Sequence, residues 1–114
     1  MSISKLKAML SSFFSKSEND LEGYHFKKLF ESTPGAQLVD VRTSAEVASG
    51  ALPKSINIDF MSADFESRVK KLSPNKTYFV YCRSGGRSSG AVKQMKKHGL
   101  RAYNLVGGIG AWPK

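Results

Sequence analysis

The chain has 114 residues, the usual length of a single domain and enough to bury a hydrophobic core. Hydrophobic residues make up 40% of it, with one tryptophan, seven phenylalanines and four tyrosines, which is typical of a globular protein and excludes a disordered one. The single cysteine excludes an internal disulfide and a zinc site built from several cysteines. We predict neither a metal site nor a cofactor.

The positive charge of the chain is unevenly distributed. The formal net charge is +9, and residues 66–101 contain ten lysines and arginines but only one acidic residue, Glu66. A positive surface of this kind attracts small anions and raises their local concentration. The alternative is a solvated lysine-rich helix face without a function. No motif interleaves aromatic residues with these charges, so we predict no nucleic-acid partner.

Residues 1–20 are predicted to form an N-terminal amphipathic helix and linker, ahead of a domain at residues 21–114. Four apolar residues recur at helical spacing in this segment: Ile3, Leu6, Leu10 and Phe13. A short secretory signal is the alternative, because two lysines precede a short apolar stretch and a small-residue site follows it. Length excludes a transmembrane span. We therefore expect a cytoplasmic protein, with export as the alternative.

A short helix and a buried strand come next. Phe26, Leu29 and Phe30 mark the helix, and residues 33–35, Thr-Pro-Gly, end it. Residues 37–42 are predicted to form a strand that ends in two charged residues, Asp40 and Arg42. Since they are two positions apart, they project to the same side. We expect them to support loops at the carboxyl end of the sheet, with a direct catalytic role as the alternative.

Strands and helices alternate through the rest of the chain. The predicted elements are, in order, a helical turn at residues 44–49, a short strand at 55–58, a helix with Phe65, Val69 and Leu72 on its apolar face, a continuous strand at 78–81, a helix with Ala91 and Met95 on its apolar side that ends at Gly99, and a last strand at 102–106. The run at 78–81 has no polar alternation, which is typical of a central strand covered on both faces. The order predicts an α/β fold with a parallel sheet of four or five strands and helices on both faces.

The only cysteine, Cys82, follows the predicted central strand, at the end where parallel sheets bind ligands. Arg83 and Arg87 lie close to it in sequence, and Gly85 and Gly86 let the intervening backbone turn its amides inward. These amides and the start of the next helix would stabilise an anion on the sulfur, and only the thiolate is a good nucleophile. The alternative is an inert buried cysteine, which would need neither the arginines nor the glycines.

The motifs of the chain resemble those of one known family. Cys82-Arg83-Ser84-Gly85-Gly86-Arg87-Ser88 resembles the active-site loop of the rhodanese (thiosulfate sulfurtransferase) domain. Residues 38–42, followed by Glu46, Gly50, Pro53 and residues 56–58, are similar to the first motif of that family, and residues 105–109 with Trp112 are similar to its closing motif. The resemblance covers about residues 21–113.

The resemblance implies a rhodanese-like three-layer domain of the single-domain type, which moves a sulfane sulfur through a persulfide on Cys82. It implies substrate-binding roles for Arg83, Ser84, Gly85, Gly86, Arg87 and Ser88, and loop support from Asp40 and Arg42. The donor would be a small anion such as thiosulfate or polysulfide, and the acceptor an external thiol or cyanide. A persulfide carrier or interaction module serving a protein acceptor is the alternative.

Loop length separates this family from a related one. Cys82 to Arg87 spans six residues, whereas dual-specificity phosphatases and arsenate reductases have a longer loop that fits a tetrahedral oxyanion. The chain also departs from the rhodanese pattern, which commonly has His-Ile-Pro-Gly-Ala where residues 51–55 read Ala-Leu-Pro-Lys-Ser. Ala51 lacks the hydrogen bonds that a histidine would make there, but it is not the predicted nucleophile.

Overall fold

The computed structural model describes residues 17–114. Most of the predicted N-terminal helix falls on residues 1–16, which lie outside the described part. Among residues 17–114, no helix is long and apolar enough to cross a membrane.

The described residues form a five-stranded parallel sheet with four α-helices. The strands are β1 (Asp20–Leu21), β2 (Ala36–Asp40), β3 (Ile56–Asn57), β4 (Thr77–Tyr81) and β5 (Arg101–Leu105). The helices are α1 (Gly23–Ser32), α2 (Ser44–Ala48), α3 (Phe65–Lys70) and α4 (Gly86–Lys97), and a short 3-10 helix follows at Ile109–Ala111. The strand order is β1-β5-β4-β2-β3, and all pairs are parallel.

Strand β4 lies at the centre of the sheet, as predicted, and all five of its residues are buried. On one face, α3 and α4 cover a core that includes Val69, Ala91 and Met95. On the other face, α1 covers a second core, in which Phe26 packs edge-on against Phe79 with ring centroids 5.4 Å apart. The predicted α/β sheet with helices on both faces is therefore confirmed.

Helix α4 ends at a left-handed glycine, as the sequence predicts. Gly99 has φ of 81° and donates from its amide to the carbonyl of Lys96, and the amide of Leu100 donates to the carbonyl of Met95. These two bonds satisfy carbonyls that the end of the helix would otherwise leave unpaired. They direct the chain from α4 into β5.

Strand β1 was not predicted. It has two residues, paired in parallel with Asn104 and Leu105 of β5, so it is too short to show a period in the sequence. Asn19 fixes it further, because its backbone carbonyl accepts from the amide of Asn104 and its side chain donates to the carbonyl of Ala102. The chain thus joins the sheet at residue 20, with Asn19 bonded to its edge.

Candidate active site

Cys82 directly follows the central strand and lies against the start of α4. Its Sγ accepts a hydrogen bond from the amide of Gly85 at 3.0 Å and contacts the amide of Ser88 at 3.4 Å and the hydroxyl of Ser88 at 3.3 Å. Cys82 and Ser88 are both fully buried. The sulfur is therefore held by donors from a single turn of chain at a helix N-terminus, which favours a negative charge there.

The glycines of the cysteine loop and of the closing motif have separate tasks. Gly85 has φ of 103°, a conformation that other residues rarely adopt, and it turns the amide toward Sγ. Gly108 packs directly on the loop, since a Cβ atom there would lie 2.0 Å from the carbonyl oxygen of Arg83. Next to it, the amide of Ile109 donates to the carbonyl of Cys82 at 2.8 Å. The closing motif thus fixes the backbone on which the thiol is carried.

The pKa of the Cys82 thiol lies below its ordinary value. Burial is the largest single influence on this pKa and acts to raise it, because it disfavours the charged thiolate. Hydrogen bonds from the Ser88 hydroxyl and from the amides of Ser88, Gly85 and Ser84 outweigh burial and lower the pKa. The surroundings of the sulfur therefore favour its reactive form.

Arg87 is predicted to line the site, and the structure shows that it is also paired with Glu46. Its two terminal nitrogens donate to the two carboxylate oxygens at 2.7 and 2.9 Å. Glu46 also closes a capping box with Thr43 at the start of α2. Hydrogen bonds from Arg87 first, and then from the Thr43 amide, lower the pKa of Glu46 from 4.5 to about 2. In the sequence, Glu46 stands out only as part of a motif, although its place three residues after Thr43 marks it as a helix-capping residue.

The other predicted substrate-binding residues form the rim of the loop. Arg83, Ser84 and Gly86 are exposed, so their side chains or amides can meet a ligand from solvent. Arg83 forms no ion pair with any residue of the described part of the chain. The structure thus brings together the predicted residues from 82 to 88, with a buried thiol and an exposed Arg83 in the same loop.

Asp40 and Arg42 form a buried ion pair at the carboxyl end of β2. The guanidinium of Arg42 bonds both carboxylate oxygens of Asp40, at 3.0 Å and 2.7 Å, and also donates to the carbonyl of Gly50 at 2.6 Å. It lies over the ring of Tyr81, whose hydroxyl accepts from the amide of Leu52. The pair therefore fixes residues 50–55, and the geometry does not place it against residues 83–87.

The 50–55 loop contains the departure from the family pattern. Lys54, where the family commonly has glycine, has φ of 64° in the left-handed region. A residue with a Cβ pays about 1 kcal/mol for this conformation. Its carbonyl accepts from the side chain of Gln37 at 3.0 Å, which helps to hold it there.

A chain of polar side chains next to the cysteine was not predicted from the sequence. The hydroxyl of Ser88 lies 2.5 Å from Oδ1 of Asn104, and Nδ2 of Asn104 donates to Oδ1 of Asp20 at 2.9 Å. Asn104 is 3% exposed. An asparagine in the otherwise apolar stretch at residues 102–106 was the available signal, because a buried amide needs partners.

Other polar features lie away from the cysteine. His25 is exposed on α1, and His98 lies at the far end of α4, 3.4 Å from Glu66. A surface depression between α1 and the C-terminus is lined by Tyr24, Lys27, Lys28, Glu31, Pro113 and Lys114, and contains none of residues 82–88.

Comparison with known proteins identifies the family. Residues 24–114 match the rhodanese-like domain family, so the chain belongs to it and the predicted family is confirmed. YtwF of Bacillus subtilis, provisionally named a sulfurtransferase, is 34% identical over 86 residues, which cover 75% of this chain and 82% of that protein.

Two further relatives bear on fold and function. YrkF of Bacillus subtilis, provisionally named a sulfur carrier protein, is 31% identical over 88 residues, which cover 76% of this chain and 46% of YrkF. The crystal structure of a rhodanese-like domain protein from Staphylococcus aureus superposes with a TM-score of 0.72 at 27% identity, over 84% of this chain and 92% of that one. The chain is therefore similar both to a protein named for sulfur transfer and to one named for sulfur carriage.

Proposed function

We propose that the protein transfers a sulfane sulfur through a persulfide on Cys82. The thiolate attacks the outer sulfur of a donor such as thiosulfate, a new bond forms between Sγ and that sulfur, and sulfite leaves with the electron pair of the broken bond. A polysulfide donor reacts in the same way and leaves shortened. An acceptor thiolate or cyanide then attacks the outer sulfur of the persulfide and restores the Cys82 thiolate.

The observation that carries this proposal is the cradle around Sγ. The amides of Gly85 and Ser88 both approach the sulfur from one turn of backbone, and the loop from Cys82 to Arg87 has only six residues. A ring this tight suits one additional sulfur atom better than a tetrahedral oxyanion. The same amides that stabilise the thiolate also remain available to the persulfide, so both forms of the cysteine are supported.

The basic rim supports an anionic donor. Arg83 and Arg87 flank the start of α4 beside the thiol, and the net charge of +9 is concentrated in residues 66–101. Positive charge around the site attracts small anions and stabilises the sulfite that leaves. Thiosulfate and polysulfide would both be attracted by this positive charge.

A persulfide carrier is the second candidate, and two observations favour it. The Cys82 side chain has no exposed surface, so a donor must displace part of the loop to reach the sulfur. There is also no second cysteine to resolve the persulfide, so the sulfur must pass to an external acceptor. A partner protein that opens the loop on docking satisfies both conditions, and the similarity to YrkF agrees with it.

Intact-mass measurement after incubation with thiosulfate, and separately with polysulfide, tests the proposal. We expect the wild-type chain to gain one sulfur atom and to lose it on addition of cyanide or a thiol. Cys82→Ser should gain none while keeping its circular dichroism spectrum, and Ser89→Ala should behave as wild type. A gain of sulfur by Cys82→Ser would overturn the proposal. A gain from polysulfide alone, with release only to a protein acceptor, would favour the carrier.

A further inference from the structure

The hydroxyl of Ser88 stands between two acceptors. It lies 3.3 Å from Sγ of Cys82 on one side and 2.5 Å from Oδ1 of Asn104 on the other. All three residues are at most 3% exposed, so water does not compete freely for these bonds. Asn104 is in turn bonded through Nδ2 to the carboxylate of Asp20 on the edge strand β1. A continuous chain of hydrogen bonds thus runs from the edge of the sheet to the thiol.

Asp20 fixes the direction of this chain. A carboxylate only accepts hydrogen bonds, so the amide of Asn104 must turn its NH₂ group toward Asp20. Its carbonyl oxygen then faces Ser88, and this oxygen also only accepts. The orientation of Asp20 is itself fixed, since its other carboxylate oxygen accepts from the amide of Ser17 at 2.9 Å.

Ser88 has one proton for two acceptors. When the Ser88 hydroxyl donates to Asn104, it cannot donate to a thiolate at Cys82. Its oxygen can still accept a hydrogen bond from the S–H group of the neutral thiol. When Cys82 ionises, the thiol proton leaves to water and the Ser88 hydroxyl must rotate toward the sulfur, where it makes the hydrogen bond that favours the thiolate. Oδ1 of Asn104 then loses its donor inside the protein, which has a cost in free energy.

We propose that Asp20 and Asn104 are positioning residues that direct the Ser88 hydroxyl away from the sulfur and thereby oppose the ionisation of Cys82. The amides of the loop favour the thiolate, and the hydrogen-bond chain through Asn104 reduces the fraction of Cys82 that is ionised. The edge strand β1, which is distant from the cysteine loop in the sequence, thus influences the ionisation of the nucleophile.

Other charged groups around the thiol act independently of this chain. Arg87 on α4 interacts electrostatically with Cys82 and is paired with Glu46 of α2, and Asp59, from the segment before α3, also acts on Arg87. Arg83 is in the loop itself. None of these four residues is hydrogen-bonded to Asp20 or Asn104, so we expect their influence on Cys82 to stay constant when either residue is changed.

Titration of the thiolate by its ultraviolet absorbance tests the proposal, since Cys82 is the only cysteine and Cys82→Ser supplies the blank. In Asp20→Asn, the backbone amide of Ser17 still donates to the side-chain oxygen at residue 20, so the new NH₂ group points toward Asn104. The side-chain amide of Asn104 then turns over, so that its oxygen accepts from residue 20 and its NH₂ group faces Ser88. Ser88 then receives a hydrogen bond from Asn104 and is free to donate to the thiolate. We expect the ionisation midpoint of Cys82 to fall by about one pH unit. Asn104→Leu, which removes the competing acceptor, should lower it similarly.

The double variant separates orientation from charge. Asp20→Asn also removes a negative charge, which alone would lower the midpoint. If Asp20 acts through the amide of Asn104, the variant with both substitutions titrates like Asn104→Leu, and Asp20→Asn has no effect in a Ser88→Ala background. Additive shifts in the double variant, unchanged midpoints or upward shifts in the single variants would each overturn the proposal. Ser89→Ala is the matched control for Ser88→Ala, and circular dichroism checks that each variant is folded.

The inference rests on Cys82 as the nucleophile of the proposed function, but its test requires no sulfur transfer. If the midpoints shift as expected and no persulfide forms, the hydrogen-bond chain stands and the proposed function fails. If a persulfide forms and the midpoints do not shift, the reverse holds.

Discussion

Two arginine–carboxylate pairs lie at the carboxyl end of the sheet, and they differ in burial and in what they connect. Asp40 and Arg42 are two residues apart, and their side chains are 1% and 6% exposed. Glu46 and Arg87 are 41 residues apart, and their side chains are 28% and 27% exposed. Both pairs are bidentate, so the chemistry of the contact is the same and the surroundings account for the difference.

The difference indicates which arginine can take part in a reaction. Arg42 is enclosed by Asp40, the carbonyl of Gly50 and the ring of Tyr81, and its departure would leave a buried carboxylate without a partner. Arg87 can turn toward a bound anion while Glu46 stays hydrated. We infer that the first pair maintains the fold of the 50–55 loop and that the second positions a positive charge at the mouth of the site.

The largest expected effect is on stability, in Arg42→Met. Removing one partner of a buried pair leaves an uncompensated charge, so we expect the free energy of unfolding to fall by about 3 kcal/mol. Arg87→Met is the matched control and should lose less than about 1 kcal/mol, because solvent replaces part of the interaction in a partly exposed pair. Urea unfolding measures both. Equal losses would contradict the distinction between the two pairs.

A smaller effect is expected on the reaction with the sulfur donor, and here the partly exposed pair matters through Arg87. Arg87→Met and Arg83→Met should each lower kcat/KM for thiosulfate about tenfold, the value of one charge-assisted hydrogen bond. This loss should persist at high salt, where screening removes long-range attraction. Lys93→Met, on the exposed side of α4, is the control. Any loss of kcat/KM in Lys93→Met should disappear at high salt. If the losses of the arginine variants also disappear, the arginines contribute only to the general positive field.

Much of the fold could be predicted because local patterns and tertiary packing agree. The apolar run before Cys82 became the central strand, and the glycine at residue 99 ended α4 as its position indicates. Strand β1 could not be predicted, since two residues show no period and their pairing with β5 is a purely tertiary event.

The site was predictable in its loop and less so in its supports. Residues 82–88 are consecutive, so their chemistry is visible in the sequence. The partners of Arg87 and Ser88 come from distant segments, at Glu46 and Asn104, and no local pattern connects residues so far apart. The support that Asp40 and Arg42 give to a loop was predicted from their spacing, and which loop they hold depends on the path of residues 50–55.

The smallest expected effect is a pH dependence of stability that comes from the Glu46–Arg87 pair. The pKa of Glu46 is lowered to about 2, mainly by Arg87, from an ordinary value of 4.5. A lowered pKa stabilises the folded protein above the unfolded value, and this contribution is lost as the pH falls through the folded value. The stability difference between wild type and Glu46→Gln should therefore be constant above pH 4.5 and vanish toward pH 2. A carbon-detected NMR titration of the Glu46 carboxyl measures its pKa directly, and Arg87→Met should return that pKa toward 4.5. An unchanged pKa in Arg87→Met would mean that the capping contacts with Thr43, and not the pair with Arg87, keep Glu46 ionised.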